Sequence, residues 1–185
     1  MSDFKYEDPK ASKVPIVTLA TRVTTLATLA VSMSLLRSNS VTYKVGPFPA
    51  TFNYNNVSTY EYVFFAMVVG FGYNLLHVPF AMYFFFTKKR LINNNAFFDF
   101  EFYGDKTCFT ILATAVGSLF GATVETRKAA FAIPGFEGGY DANDYHSKVE
   151  KFCVMAYVSG AFLLVGFFSS MISSISSSKV VSNKS

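Results

Sequence analysis

Apolar residues along this chain gather in four long blocks, and polar connectors separate the blocks. A soluble domain spaces its apolar residues by helix or strand period, with polar residues between them. A block of about 20 apolar residues is long enough to cross a bilayer as one helix. The pattern therefore predicts an all-α membrane protein, a bundle of four transmembrane helices over residues 14–172. The predicted helices are about 14–36, 60–87, 102–124 and 152–172.

The polar segments between and beyond the blocks are predicted to be loops and tails. They are the N-terminal tail 1–13, the connectors 37–59, 88–101 and 125–151, and the Ser-rich tail 173–185. Alternation of apolar and polar residues around Val41–Lys44 and Thr51–Tyr54 predicts a short hairpin in the first connector. The Ser-rich tail has too few apolar residues to fold alone, so disorder is predicted there.

Positive charges at the helix ends predict how the bundle is oriented. Four spans put both chain ends on the same side of the membrane. Lys88-Lys89-Arg90 directly follows the second block, and cytosolic loops carry an excess of Lys and Arg. Both termini and the connector 88–101 are therefore predicted to be cytosolic, which makes the connectors 37–59 and 125–151 outer loops.

Arg22 is a charge inside the first apolar block, where a guanidinium costs at least a few kcal/mol. Asp105 is a suitable partner, because it begins the third block on the same predicted side. Arg22 lies roughly 12 Å along its helix at about 1.5 Å per residue, within reach of a shallower carboxylate. We predict a structural ion pair that joins the first and third helices. Two alternatives stay open: Arg22 reaches toward the headgroups or another partner, or the pair lines a pore or proton path.

Two further polar residues, Asn74 and His77, lie within the second block. His77 fits a hydrogen-bonded core histidine, and the alternative is a proton-relay group. Together with Arg22 and Asp105, these residues define an alternative polar path through the bundle. No metal site is predicted, because two distant histidines and separated cysteines do not supply the clustered ligands that a metal needs. No cofactor is predicted either.

Small residues within the blocks predict close helix contacts, and one proline predicts a bend. A pair of small residues four positions apart lets two membrane helices approach closely. The predicted packing positions are Gly70, Gly72, Gly117, Gly121 and Gly160. Pro79 removes one backbone hydrogen bond and should kink the second helix about one turn earlier.

The two cysteines and one glycosylation sequence are interpreted through the predicted orientation. Cys108 falls near the cytosolic end of the third helix and Cys153 near the outer end of the fourth, so no disulfide between them is expected. Cys108 is either a buried free thiol or, as a juxtamembrane cysteine, an acylation site. Asn56-Val57-Ser58 is an N-glycosylation sequence on the predicted outer side, which makes Asn56 a candidate glycosylation site.

Composition and charge narrow the class of protein further. The 185 residues are 51% hydrophobic, and their net charge of +4 is scattered along the chain. Nucleic-acid binding needs a clustered basic face, and this sequence has none. The sequence also offers no nucleophile–base pair, phosphate loop, redox motif or haem motif, so no enzyme is predicted.

Three stretches of the chain form a recognisable combination. They are Thr21-Arg22, Gly72-Tyr73 through His77-Val78-Pro79-Phe80, and Phe102-Tyr103-Gly104-Asp105-Lys106 running into Leu112–Val124. The combination resembles the Casparian strip membrane protein-like (CASP-like) family of plants, which is distantly similar to MARVEL-domain tetraspan proteins. The resemblance covers roughly residues 12–175. It is closest to the outlying CASP-like branches rather than to the Casparian strip proteins themselves, which have a distinctive first outer loop and cysteines in the second outer loop. In this chain the first outer loop reads Val45-Gly46-Pro47-Phe48-Pro49, and the second has no cysteine.

The resemblance implies a non-enzymatic plasma-membrane scaffold that associates laterally with itself. It also implies heteromers with related family members, contacts with membrane lipids and recruitment of cell-wall-modifying enzymes, without nucleic acid. The alternative, which rests on the polar residues, is a channel, transporter or accessory subunit. The transport hypothesis predicts that the four polar side chains share one cavity. The scaffold hypothesis predicts a dry Arg22–Asp105 pair.

Overall fold

The computed structural model describes residues 14–45, 48–87, 95–132 and 142–182. Its long helices are α1 Val14–Ser38, α2 Ser58–Thr87, α3 Asn95–Ala132 and α4 Ala142–Ser182. Between α1 and α2 the chain forms β1 Ser40–Val45, β2 Phe48–Asn53 and a 3-10 turn, Tyr54–Asn56. All four helices are long and apolar enough to cross a membrane. The predicted four-helix membrane bundle is therefore confirmed.

The four helices form a ring in chain order. Helix α1 packs against α2 and α4, and α3 packs against the same two helices. We call the side where α1 and α3 begin the tail end of the bundle. The opposite side, beside β1 and β2, is the hairpin end. Large apolar side chains such as Phe65, Leu76 and Phe86 are exposed on the outside, which suits a surface that faces lipid.

The middle of the bundle is closed by an apolar layer in which glycines make room for leucines. Leu29 of α1 and Leu112 of α3 have no exposed surface. A Cβ atom at Gly70 of α2 would lie 3.1 Å from Leu112 Cδ2 and 3.4 Å from Leu29 Cδ1. A Cβ atom at Gly166 of α4 would lie 2.9 Å from Thr28 Oγ1 and 3.5 Å from Leu29 Cδ2. The layer thus joins all four helices and separates the two halves of the bundle.

Serine hydroxyls join α1 and α4 on the hairpin side of this layer. Ser32 Oγ donates to the Ser159 carbonyl at 2.8 Å, and Ser159 Oγ donates to the Ser32 carbonyl at 2.9 Å. Such reciprocal bonds are possible because small side chains let the two backbones approach closely. Both serines are fully buried, so their polar groups are satisfied inside the bundle.

The predicted hairpin is present, and its second strand begins earlier than predicted. β1 and β2 pair in antiparallel register from Ser40 opposite Asn53 to Val45 opposite Phe48. Asn39 Nδ2 donates to the Phe152 carbonyl of α4 at 2.9 Å. The Phe52 ring meets the Phe152 ring edge-on at a centroid distance of 5.2 Å. The hairpin is therefore fastened to α4 at Phe152.

Helices α3 and α4 are longer than the apolar blocks that predicted them. Helix α3 takes in much of the predicted connector 88–101 and runs on to Ala132. Helix α4 begins at Ala142 and reaches Ser182, so the disorder predicted for 173–185 is wrong as far as that residue. The added segments contain no helix breaker, and a polar surface does not prevent a helix outside the bilayer. Ser173 and Ser174 are buried against the bundle, which stabilises the Ser-rich part of α4.

Candidate functional site

Arg22 is the most deeply buried charge that the structure describes, with 1% of its side chain exposed. Its Nη2 donates to Asp105 Oδ1 at 3.1 Å and to Asp105 Oδ2 at 3.4 Å. The structure thus brings together the two residues that the sequence pairs, from helices α1 and α3 on opposite corners of the ring. A buried charge without a partner is strongly unfavourable, so this contact accounts for an arginine in an apolar helix.

Glu101 is a second carboxylate on the same guanidinium. Arg22 Nη2 donates to Glu101 Oε1 at 3.0 Å, and 22% of the Glu101 side chain is exposed. This contact was not predicted from the sequence, because Glu101 falls in the connector before the third apolar block. Since α3 begins at Asn95, Glu101 and Asp105 are four residues apart on one helix and share a face. That spacing is the signal that could have revealed Glu101.

Asp105 also accepts hydrogen bonds from the other two helices. Tyr73 Oη of α2 donates to Asp105 Oδ1 at 2.7 Å, and Ser173 Oγ of α4 donates to Asp105 Oδ2 at 3.4 Å. Asp105 itself is on α3, so its carboxylate joins every helix of the bundle. Hydrogen bonds to a charged group are stronger than those between neutral groups. We refer to Arg22, Tyr73, Glu101, Asp105 and Ser173 as the Asp105 cluster.

Gly104 makes the approach of Tyr73 possible. A Cβ atom at Gly104 would lie 2.7 Å from Tyr73 Cε2 and 2.8 Å from Tyr73 Oη. Such a contact is too short for carbon and oxygen atoms, so a larger residue would displace the tyrosine. The glycine that precedes Asp105 therefore lets a ring from α2 reach the carboxylate on α3.

The Arg22 guanidinium is only partly satisfied by the Asp105 cluster. Its Nε and Nη1 atoms are buried and have no hydrogen-bond partner in the described part of the chain. An unpaired buried donor costs about 1–3 kcal/mol, and more when the group is charged. The Tyr73 ring lies beside the guanidinium, with its centroid 5.8 Å from Cζ, and offers a cation–π contact.

Asn74 and His77, the other residues of the predicted polar path, are also buried in the tail half. Asn74 Nδ2 donates to the Gly70 carbonyl at 2.8 Å and approaches Cys108 Sγ at 3.8 Å. The His77 ring packs on Tyr73 at a centroid distance of 4.4 Å. Both residues therefore lie beside the Asp105 cluster, and the Leu29–Leu112 layer separates the cluster from the hairpin end.

The predicted packing glycines divide into two groups. Gly70 lies in the apolar layer, and a Cβ atom at Gly160 would lie 3.0 Å from the Phe120 ring, so both occupy helix contacts. A Cβ atom added at Gly72, Gly117 or Gly121 would have no described atom of another helix within 4 Å. These three glycines contact no other helix of the described chain, so packing against a helix of another chain stays a prediction for them. Sequence spacing identifies a small-residue stripe but not the direction in which it faces.

Other predicted sites have simpler outcomes. Cys108 and Cys153 are free and buried, and the burial of Cys108 argues against acylation because a lipid chain would have to displace its neighbours. Asn56 is exposed in the 3-10 turn, where its Oδ1 accepts from the Asn53 backbone N–H at 2.8 Å. Pro79 lies inside α2, and the kink expected there stays a prediction. Among the described residues, no group of three or more potential ligands could hold a metal ion.

Comparison with known proteins gives consistent matches over most of the chain. The sequence model of the Casparian strip membrane protein domain matches residues 11–169. CASP-like protein 4D1 of Arabidopsis lyrata subsp. lyrata is 30% identical over 168 residues, which are 91% of this chain and 89% of that protein. CASP-like protein 4D1 of Ricinus communis is 27% identical over 160 residues, with 86% and 88% coverage. CASP-like protein 4D2 of Arabidopsis thaliana is 28% identical over 168 residues, with 91% coverage of both chains. No solved structure matches the chain.

Proposed function

Because the chain belongs to the Casparian strip membrane protein domain family, we propose that this multi-pass membrane protein is a non-enzymatic plasma-membrane scaffold. In this proposal, copies of the chain associate laterally and form a platform that holds partner proteins. Related family members join the assembly as heteromers, and membrane lipids occupy the spaces between subunits. Cell-wall-modifying enzymes are the candidate partner proteins.

The outward position of Gly117 and Gly121 is the observation that carries the proposal. These glycines are four residues apart on α3, and no described atom of another helix would contact a Cβ at either position. Glycine in a helix interior costs about 1 kcal/mol relative to alanine, and this chain gains no described internal contact from it. In membranes such a pair allows the backbone of another helix to approach closely. A second copy of α3 fits this requirement, because a symmetric dimer places identical surfaces together.

The Asp105 cluster supports the scaffold by holding the protomer together. Its hydrogen bonds join all four helices. A scaffold that holds partner proteins needs such a fixed shape. In the proposed orientation, both termini are cytosolic and the hairpin end faces outward. The hairpin, the end of α3 and the start of α4 then form the surface available to partners at the cell wall.

The oligomeric state tests this proposal directly. The full chain is extracted in native-lipid particles, and mass photometry compares the wild type with Gly117→Leu/Gly121→Leu. We expect a defined oligomer for the wild type and smaller particles for the variant, since leucine blocks close approach. Gly72→Leu is the matched control, because Gly72 likewise meets no described atom of another helix but lies on α2. A monomeric wild type would contradict the scaffold.

A channel, transporter or accessory subunit is the second candidate. Its support is the cluster of buried polar side chains in the tail half, where Asn74 and His77 adjoin the Arg22–Asp105 pair. The fully buried Leu29 and Leu112 weigh against a continuous path to the hairpin end. Solute and proton flux into proteoliposomes tests this candidate. Flux that Asn74→Leu abolishes, together with a monomeric protein, would favour transport over the scaffold.

A further inference from the structure

The four-helix fold sorts the charges of the chain onto two sides of a membrane. Stretches 1–22, 88–106 and 173–185 adjoin the helix ends of the tail end, and stretches 37–61 and 125–151 adjoin those of the hairpin end. The tail end has ten basic and six acidic residues, and the hairpin end has six of each. The residues between these stretches carry no charge. The whole net charge of +4 therefore belongs to the tail end, and the hairpin end is neutral.

The Asp105 cluster does not supply this positive charge. Arg22 is paired with the carboxylates of Glu101 and Asp105, so these three residues together carry a charge of −1. Subtracting that −1 from the +4 of the tail end leaves +5 for its other residues. Basic residues at the end of a membrane helix attract anionic lipid headgroups. The charge of the tail end thus complements an anionic lipid surface.

Lys106 marks the membrane boundary of α3 at the tail end. Between Lys106 and Glu125 lie 18 uncharged residues, 107–124. At about 1.5 Å per residue they span about 27 Å, close to the roughly 30 Å thickness of the hydrocarbon core of a bilayer. Tyr83 of α2 and Tyr103 of α3 are exposed at the same end, and tyrosines concentrate where lipid meets water. Lys106 therefore lies at the depth of the lipid headgroups.

The Lys106 ammonium group is directed away from the bundle. The side chain is exposed, and its Nζ lies 4.7 Å from the centroid of the Phe102 ring, one turn earlier on α3. Among the described residues, no carboxylate forms an ion pair with Lys106. At the hairpin end, by contrast, Lys128 Nζ lies 3.6 Å from Glu125 Oε1. The positive charge of Lys106 is thus available to an anion in the surrounding lipid.

The residues beside Lys106 favour an anion that carries acyl chains. Tyr103 is three residues away on the same face of α3, and 66% of it is exposed. A lipid chain beneath its headgroup can cover this ring, whereas a soluble anion gains nothing from it. A lysine with a flexible apolar stem keeps its charge among the headgroups while the stem lies along apolar surface.

We propose that Lys106 and Tyr103 form a contact site for a phospholipid with a net negative headgroup. The ammonium group binds the headgroup, and the tyrosine ring packs against the chains below it. With the tail end in the cytosol, the site faces the leaflet that carries the negative surface potential. The proposal rests on the position of α3 in a membrane and not on lateral association, so the scaffold and this lipid contact can fail separately.

The sequence contains no tryptophan, which allows a direct test by fluorescence. Tyr103→Trp places a single reporter three residues from Lys106 in the full chain. The protein is reconstituted in phosphatidylcholine vesicles that contain an equal mole fraction of either brominated phosphatidylserine or brominated phosphatidylcholine, because bromine quenches tryptophan on contact. We expect brominated phosphatidylserine to bind beside the reporter roughly fivefold more strongly, the factor for one lysine at an anionic surface. Equal binding of the two lipids would overturn the proposal.

Val124→Trp is the matched control reporter. Val124 is exposed on the same helix near its hairpin end, and the nearby Lys128 is paired with Glu125. We expect the two brominated lipids to quench this reporter equally. The same preference for phosphatidylserine at both reporters would mean that the lipid gathers around the whole protein, and it would contradict a site at the tail end.

Two substitutions of Lys106 assign the contact. In the Tyr103→Trp background, Lys106→Gln should reduce the preference for phosphatidylserine to less than twofold, and Lys106→Arg should keep it. Both variants should fold, because the Lys106 side chain is exposed. A preference that persists in Lys106→Gln would show that other charges hold the lipid, and it would refute the role of Lys106.

Discussion

Asp105 shows how one carboxylate can fix the arrangement of several membrane helices. Its oxygens receive donors from Arg22, Tyr73 and Ser173, which belong to three different helices. In a low-dielectric interior each of these bonds is stronger than in water, and each unpaired group is more costly. The apolar surface of the helices gives little preference among partners in lipid, so directional polar contacts select the arrangement.

Replacing Asp105 with Ala should destabilise the protein strongly. The change leaves Arg22 buried with Glu101 as its remaining charged partner among the described residues, and breaking a buried ion pair costs about 3–5 kcal/mol. We expect a large fall in the thermal unfolding temperature in nanodiscs and loss of surface expression. Glu101→Ala should have a smaller effect, because Asp105 remains and Glu101 is partly exposed.

Glu125→Ala is the control for this pair of variants. Glu125 forms an ion pair with Lys128 at 3.6 Å on α3, but about three quarters of each side chain is exposed. An exposed pair contributes about 0–1 kcal/mol, so the unfolding temperature should hardly change. Normal expression and stability of Asp105→Ala would show that the Asp105 cluster does not hold the bundle together.

Among the helices, glycine has different roles at different positions. Gly70 of α2 makes room for Leu112 and Leu29, and Gly166 of α4 makes room for Thr28 and Leu29. On α3, Gly104 makes room for Tyr73. Gly117 and Gly121 lie further along α3 and face away from every described neighbour. Helix α3 thus has an inner side that holds the bundle and an outer stripe that is available to another chain.

The same substitution at two positions of α3 should therefore give opposite results. Gly104→Ala places a methyl group against the Tyr73 ring and displaces its bond to Asp105, at a cost of about 1–3 kcal/mol. Gly121→Ala introduces no described contact and gains up to about 1 kcal/mol of helix propensity. Thermal unfolding of the monomer in detergent measures both. Equal effects would mean that α2 and α3 do not meet as described.

For the molecule as a whole, orientation in the membrane decides which surface meets partners. The hairpin, the end of α3 and the start of α4 lie at one end of the bundle, and Asn39 beside the hairpin bonds to Phe152 of α4. The charges of Lys88-Lys89-Arg90 favour a cytosolic tail end, which directs the hairpin outward. With that predicted orientation, the Asp105 cluster lies on the cytosolic side.

Glycosylation reports this orientation. Asn56 is exposed in the turn before α2, and we expect a glycan there that peptide N-glycosidase removes. On a gel, the glycosylated protein should migrate more slowly than the enzyme-treated protein, and Asn56→Gln should abolish this mobility shift. Asn183→Gln is the control, because Asn183-Lys184-Ser185 is also a glycosylation sequence but belongs to the predicted cytosolic tail. A mobility shift that disappears in Asn183→Gln instead would show that the orientation is the opposite of the predicted one.

The helix count and the central ion pair were predictable because they depend on local features. Four apolar blocks of membrane length allow few structures other than four helices, since a lipid environment requires internal hydrogen bonds. Arg22 needed a buried partner, and Asp105 was the carboxylate at a suitable depth. The alternation around the first loop likewise indicated the hairpin between β1 and β2. These inferences use residue type and sequence distance alone.

The tertiary structure decided what depends on the direction in which a side chain faces. Glu101 joined the cluster because α3 begins at Asn95 and turns that residue toward Arg22, which hydropathy does not indicate. Gly104 and Gly117 look alike in the sequence, yet one faces a tyrosine and the other the exterior. Hydropathy reports whether a segment enters the bilayer, because the free energies of transferring its side chains from water to lipid add along the chain. Which face of a helix is buried depends on its neighbours, and only the assembled bundle determines those.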